Sequence, residues 1–261
     1  MPETVAAIHR VLTNGSSFPS VVESLSGRRW VMKLAGAGPG SRALVTEYIT
    51  LALARRTGLN VPDAIPLWLP AELPWQAGTD EFYEAVQRSA GWNLGIAFVA
   101  DARDLAAVDI AALPQPFRHR LAAIDALVQN VDRAATNLNI IRDADGTLWA
   151  IDFGACLLFD RLARGALEPR LDLPANHFLA GNEALSGPAL VRGIATALDD
   201  TALAAAVEAV PDAWLREPAF SRGVLLSRLQ KYVESILASR STEPSETGEA
   251  GWKISRARSP G

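Results

Sequence analysis

The 261-residue sequence has a single cysteine, Cys156. A lone cysteine has no partner in the chain, so a disulfide-stapled scaffold is excluded and a reducing, cytoplasmic setting is expected. No uninterrupted apolar stretch approaches the roughly 20 residues that a membrane span needs. The opening MPETVAAIHRVL lacks the apolar core of a signal peptide. Positive charge is not in excess: the formal net charge is -4, which argues against a nucleic-acid binder. His9, His119 and His177 are scattered without ligand spacing, so no zinc site is expected. What remains is an ordinary globular composition, 49% hydrophobic and 21% charged. That is apolar enough to offset the entropy of ordering, which excludes a wholly disordered chain.

The first third alternates strand patterns with turn signals. VAAIHRVL (5–12), VVESL (21–25) and RRWVMKL (28–34) are apolar runs, and the last two are split by Ser26 and Gly27 as in a hairpin. A helix is predicted over roughly Arg42–Thr57, with Leu44, Tyr48, Leu51 and Arg55 on one face, Gly58 at its end and Pro62 beyond. Glu47 lies on that inward face, where a carboxylate needs a cationic or hydrogen-bonding partner. Prolines 62, 66, 70 and 74 predict an irregular segment over 63–93, with one short helix near Asp80–Arg88. GIAFV (95–99) reads as a short buried strand. Residues 100–105 read as a connector between lobes.

From Leu105 the pattern turns helical, and Phe117, Leu121, Ile124 and Val128 form one apolar stripe. Residues 138–154, LNIIRDADGTLWAIDFG, predict a hairpin turning at 143–146. Further helices are predicted near 186–198, 200–209 and 221–239. Residues 241–261, rich in Ser, Glu, Gly and Arg, predict a disordered tail. Its KISRARS (253–259) reads as a solvated charge run.

Two stretches carry chemistry. NVDRAATN (130–137) places Asp132 five positions before Asn137, on a loop that follows a helix. IDFG (151–154) places Asp152 directly after a strand. An Asp, an Asn five residues on, a hairpin and then Asp-Phe-Gly is the layout of a phosphoryl-transfer centre. One carboxylate orients the acceptor hydroxyl and takes its proton. An amide oxygen and a second carboxylate suit Mg²⁺, which prefers hard oxygen donors. Upstream, Lys33 sits in the apolar strand WVMKL, before the helix that carries Glu47. That is the order expected of a phosphate-anchoring lysine and its glutamate.

Other local patterns weigh less. GAGPG (36–40) has G-x-G-x-G spacing interrupted by Pro39, so it reads as a strand–helix connector rather than a dinucleotide fingerprint. Amides at the following helix start, with Arg42, remain an alternative phosphate contact. Residues 143–146 lack the ligands of a calcium loop and read as a turn. Cys156 reads as a small buried residue. Most of the seven tryptophans read as packing groups, with Trp75 and Trp92 alternatively at a cleft mouth.

Taken together, NVDRAATN (130–137), AIDFGA (150–155), TNGSSFP (13–19), WVMKL (30–34) and TEYITLALARRTGLNVP (46–62) resemble the HipA-like family of protein-kinase-like phosphotransferases. The resemblance covers roughly residues 5–240. It implies an α+β, bilobal protein-kinase-like fold: a β-rich N-lobe over 1–99, a mostly helical C-lobe over 100–240, and ATP with Mg²⁺ in the cleft. It implies that Asp132 is the catalytic base and that Asn137 and Asp152 hold the metal. Lys33 and Glu47 would form the phosphate-anchoring ion pair. TNGSSFP would cover the phosphates, through the backbone amides of Gly15, Ser16 and Ser17. The implied reaction passes the γ-phosphoryl group to a hydroxyl acceptor, a protein Ser or Thr. A small hydroxylated molecule or a lipid headgroup is the alternative acceptor, and a nucleotide-binding pseudokinase acting as an interaction module is the alternative function. The chain departs from the family in three places. Ala134 stands where a His usually follows Asp-Arg, the phosphate loop has only Gly15, and no APE-like end follows Asp152-Phe153-Gly154.

Overall fold

The computed structural model describes residues 2–12, 18–74, 79–185 and 187–239. Gly15, Ser16 and Ser17, Trp75 and the 241–261 segment lie outside the described residues.

The chain begins with β1 (Glu3–Val11), β2 (Ser20–Ser24) and β3 (Arg29–Lys33). These pair antiparallel in sequence, the last two through the turn at Gly27 foreseen from Ser-Gly. Helix α1 (Ser41–Arg56) follows, then β4 (Ala64–Leu69), α2 (Asp80–Arg88) and β5 (Gly91–Ala97). The five strands close into a barrel in the order β1-β2-β3-β5-β4. The seam is parallel and short, Glu3 with Leu67 and Thr4 with Trp68. Glu3 also ties β1 to the β2–β3 hairpin, accepting from Ser26 Oγ at 2.9 Å, Trp30 Nε1 at 3.1 Å and Ser24 Oγ.

The barrel corrects the expectation of an irregular stretch over 63–93. Pro66 lies inside β4, opposite Leu94. It sits one residue outside the β1 pairing, which begins at Leu67, where a residue without an N–H is tolerated. β5 likewise starts at Gly91 and ends at Ala97, earlier than GIAFV suggested.

Within the barrel the period of two decides what each side chain meets. Trp30 and Met32 of β3 point into the barrel core with Val22, Leu67, Leu69 and Phe82. Val31 and Lys33 face the other way, where Val31 packs on the core that α1 shares with the helical region. The loop from β3 to α1 is held from behind: Ala35 N donates to Asn93 Oδ1 and Gly36 N to Ser89 Oγ, each at 2.8 Å. Gly36 is required there, since a Cβ would lie 2.7 Å from Arg88 Cβ.

The rest of the chain forms a short sheet and a helical mass. β6 (Arg103–Asp104), β7 (Ile140–Arg142) and β8 (Leu148–Ala150) make the three-stranded sheet β6-β7-β8. The helices are α3 (Gln115–Val128), α4 (Leu158–Ala163), α5 (Pro188–Ala195), α6 (Asp200–Glu208) and α7 (Arg222–Ala238). The α3 stripe is buried as its spacing predicts, from Phe117 through Leu121 and Ile124 to Val128. α7 seals the base with Leu225, Leu229, Val233 and Ile236, and the Tyr232 hydroxyl donates to Leu127 O at 2.9 Å. α1 belongs to this larger core rather than to the barrel's, through Leu44, Ile49, Leu51 and Leu53. Its predicted stripe ends sooner than expected: Arg55 is exposed and pairs with Asp63 at 2.9 Å. Among the described residues no helix is long and apolar enough to cross a membrane.

Candidate active site

Three elements bring Lys33, Glu47 and Asp152 together. Lys33 is the last residue of β3, on its outer face. Glu47 lies mid-helix in α1, one turn from Leu44 and from Leu51, so it is carried inward with them. Asp152 follows β8, with φ +59°, in the left-handed region that turns the chain sharply after the strand. Lys33 Nζ donates to Glu47 Oε1 at 2.8 Å, lies 2.7 Å from its Oε2, and donates to Asp152 Oδ1 at 2.8 Å. The partner that the inward Glu47 required is therefore Lys33, and Lys33 is shared with a second carboxylate. The turn at Gly154 lies beside α1, where a Cβ would sit at ordinary contact distance, 3.4 Å, from Glu47 Oε2.

Burial and charge oppose each other in this group. Burial alone pushes the Lys33 ammonium down, but the Glu47 and Asp152 carboxylates outweigh it and hold its pKa above the ordinary value. Burial raises the Glu47 carboxyl, against the pull of Lys33 and with the repulsion of Asp152 added. Asp152 also feels burial, but Lys33 dominates and holds its pKa below the ordinary range. The difference follows exposure, since the Glu47 side chain is 1% exposed and that of Asp152 45%.

Asp132 and Asn137 lie on the loop between α3 and β7, and both are exposed. The loop's backbone is closely held around them. Asp132 N donates to Asn130 Oδ1 at 3.1 Å, and Asp132 O accepts from Asn137 Nδ2 at 3.2 Å and Asn139 Nδ2 at 3.1 Å. Asn137 thus fixes the loop through its amide nitrogen, and Oδ1 is the hard donor atom left to it. Ile151 N donates to Asn139 O at 2.9 Å, which lays the approach to Asp152 alongside the end of this loop.

Under the loop lies a set of residues for which the sequence offered no motif. Arg133 is fully buried, and its Nη1 donates to Leu138 O at 2.8 Å and Asn139 O at 2.7 Å. Its Nη2 donates to Ile151 O at 3.3 Å, and the guanidinium lies over the Phe153 ring at 4.9 Å. Arg133 Nε is 2.6 Å from Asp125 Oδ2, on α3. Asp125 Oδ1 accepts from Asn130 Nδ2 at 3.0 Å, and Asp125 Oδ2 lies 2.9 Å from His177 Nε2. One buried carboxylate therefore anchors both ends of the loop and, through Arg133, the residue before Asp152. Only the Asp-Arg adjacency in NVDRAATN pointed toward this set; Asp125 and His177 each look like isolated polar residues.

The other sequence candidates settle elsewhere. Arg42 is held by Glu217 and lies 3.6 Å from Asp160, so the alternative phosphate contact at the α1 start is not set up by this arrangement. Residues 143–146 turn the β7–β8 hairpin, with Asp143 Oδ1 accepting from Thr147 N at 2.8 Å. Cys156 is buried, and burial pushes its thiol well up, as suits a packing residue. Trp92 packs edge-on against Trp68 at 5.0 Å and accepts, through its carbonyl, from Trp214 Nε1 at 2.9 Å.

Among solved structures, the chain is similar to the proinflammatory kinase CtkA of Helicobacter pylori. The TM-score is 0.59 at 11% identity, over 91% of this chain and 96% of that one. A weaker likeness is to the Golgi casein kinase, in a structure with Mn and ADP bound, at TM-score 0.43 and 12% identity over 90% of this chain and 73% of that one. No curated protein matches by sequence. The first likeness makes the fold protein-kinase-like and α+β. The model of the HipA-like kinases matches residues 5–240. With a buried lysine between two carboxylates beside an Asp-Asn loop, and that match over nearly the whole chain, the protein belongs to the HipA-like kinases and is a phosphotransferase.

Proposed function

We propose that the chain transfers the γ-phosphoryl group of ATP to a protein Ser or Thr hydroxyl, in the cytoplasm, with Asp132 orienting that hydroxyl and accepting its proton. The observation that carries this reading is the exposed Asp132, fixed at its own N and O, on a loop bonded to the strand end that delivers Asp152 to Lys33. Phosphoryl transfer asks a protein mainly for positioning and charge stabilisation, and these residues supply both. Lys33, set by Glu47, would hold the α/β-phosphates. The amides of Gly15, Ser16 and Ser17 would cover them, on the segment whose ends are pinned by Leu12 N donating to Pro19 O at 2.7 Å. The donor set of Asn137 Oδ1 and the Asp152 carboxylate fits Mg²⁺, a hard cation served by hard oxygens. When bound, the ion would offset phosphate charge. In this reading residues 1–99 and 100–240 act as two lobes around the nucleotide.

The acceptor class is supported by a groove of about 640 Å³ beside the loop, lined by Val131, Leu157, Leu171, Asp172 and Pro174 among others. Its mixed apolar and charged lining suits an extended peptide better than a small polyol. An intact Lys33, Asp132, Asn137 and Asp152 favours turnover over binding alone.

The test is incubation of wild type and Asp132→Ala with Mg²⁺-ATP and a lysate of phosphatase-treated proteins, read by ADP release and phosphosite mapping. Wild type should turn over. Asp132→Ala should lose about 10²–10⁴-fold, as for removal of a general base, with nucleotide binding retained. Equal turnover in both would remove Asp132 from the chemistry. Failure of wild type to bind nucleotide would overturn the reading.

A further inference from the structure

We infer that His177 is a positioning residue for the catalytic loop, acting through the buried carboxylate of Asp125. The kinetic part of this inference rests on the phosphotransfer reading above.

His177 belongs to the segment between α4 and α5, far along the chain from the loop it touches. Its Nδ1 accepts from Leu179 N at 3.1 Å. With Nδ1 an acceptor, the proton is on Nε2, which donates to Asp125 Oδ2 at 2.9 Å. The neighbours of His177 grip the same loop. Asn176 Nδ2 donates to Val131 O at 2.8 Å, and Phe178 N donates to Arg133 O at 3.0 Å. Residues 176–178 thus hold the carbonyl before Asp132, the anchor beneath it and the carbonyl after it.

The path from imidazole to catalytic carboxylate is short. His177 donates to Asp125; Asp125 accepts from Asn130; Asn130 Oδ1 accepts from Asp132 N. Asp125 Oδ2 is also ion-paired with Arg133, whose Nη1 and Nη2 hold the carbonyls of Leu138, Asn139 and Ile151. Both His177 and Asp125 side chains are fully buried. An unmet lone pair on a carboxylate buried there would draw Asp125 or Arg133 out of place. The segment also contributes Leu171, Asp172 and Pro174 to the groove beside the loop. The segment that holds the loop around Asp132 is therefore also a wall of that groove.

The test compares three substitutions at one position. His177→Ala should lower kcat about 10²-fold, the cost of a small misplacement of a reacting group, with KM for Mg²⁺-ATP changed little. His177→Gln places an amide N–H near Nε2 and should recover most of kcat. His177→Asn places an oxygen near Nδ1, keeping the bond from Leu179 N but not the one to Asp125, and should stay as slow as Ala. Recovery by Asn and not by Gln would mean that His177 only shapes its own turn, and would overturn the inference. Unchanged kcat in His177→Ala would do the same. Asn176→Ala, at an exposed side chain that folding tolerates, should cost a few-fold in kcat; if it costs nothing, the grip on the loop is not functional. Amide hydrogen exchange over 130–139 should quicken in His177→Ala and His177→Asn and be restored in His177→Gln. That readout needs no turnover, so an inactive wild type would sink the kinase reading while exchange still decides this one.

Discussion

Two buried charge clusters lie beside the same loop, and they are built oppositely. In the first, one cation serves two carboxylates: Lys33 lies between Glu47 and Asp152, each on a different element, and the Asp152 side chain is 45% exposed. In the second, one carboxylate serves three side chains: Asp125 accepts from Asn130 and His177 and pairs with Arg133, with every side chain closed from solvent. The first carries more negative than positive charge and is open on one side. The second is balanced, since His177 is a neutral donor, and sealed. Excess negative charge beside solvent leaves room for a further cation and for Asp152 to change partners. A sealed and balanced cluster has nothing to gain from a new partner and much to lose from a missing one. The open cluster suits groups that must re-pair when a ligand arrives, and the closed one suits a fixed foundation.

Substitution should expose that asymmetry. The largest effect expected is on folding. Asp125→Ala leaves the Arg133 guanidinium buried without its carboxylate, at a cost of about 3–5 kcal/mol, measurable by denaturant unfolding. A loss below about 1 kcal/mol would mean the two clusters do not differ in kind. Next, Lys33→Met should reduce kcat/KM about 10²–10³-fold, as for other preorganised charge-stabilising donors, while the chain remains folded at mildly acidic pH. Burial already raises Glu47, and without Lys33 it rises further. A carboxyl with a raised folded pKa adds stability below its unfolded pKa and loses it as pH rises through the folded value. The Lys33→Met deficit in Tm should therefore grow from pH 5 to pH 8; a deficit independent of pH would contradict the role of Glu47. The smallest effect belongs to Asp152→Asn. The folded pKa of Asp152 is held down by Lys33 against burial, so its contribution is present above the ordinary value of 3.8 and fades as pH falls through the lower folded value. Asp152→Asn should flatten the Tm profile below about pH 4 and weaken the Mg²⁺ dependence of nucleotide binding.

The same contrast explains what could be read from the chain. Lys33, Glu47 and Asp152 meet as their order implied, because each is announced locally: a lysine in an apolar strand, a glutamate on an apolar helix face, an aspartate after a hairpin. Asp125 and His177 carry no such mark. Asp125 sits within a helix whose other buried residues are apolar, and His177 sits in a turn 52 residues away. Their meaning exists only in the packed state. The fold divides similarly. α2, α3, α7 and both hairpins follow from period and turn chemistry. β4 is hidden by Pro66 within it and by Pro62 and Pro70 on either side, since its strand character comes from pairing with β5 and β1 rather than from its own composition.

The seam of the barrel has a consequence in time. β1–β2, β2–β3 and β4–β5 are pairings that modest loop closures bring together, but the seam of Glu3 and Thr4 with Leu67 and Trp68, and the pairing of β3 with β5, must each form across α1 and the strands between. Contacts of such separation wait on the loss of chain entropy and form late in folding. Loosening either of these junctions should therefore speed unfolding while leaving the refolding rate nearly untouched, so the lifetime of the folded kinase, more than its ability to fold, depends on how the barrel is closed.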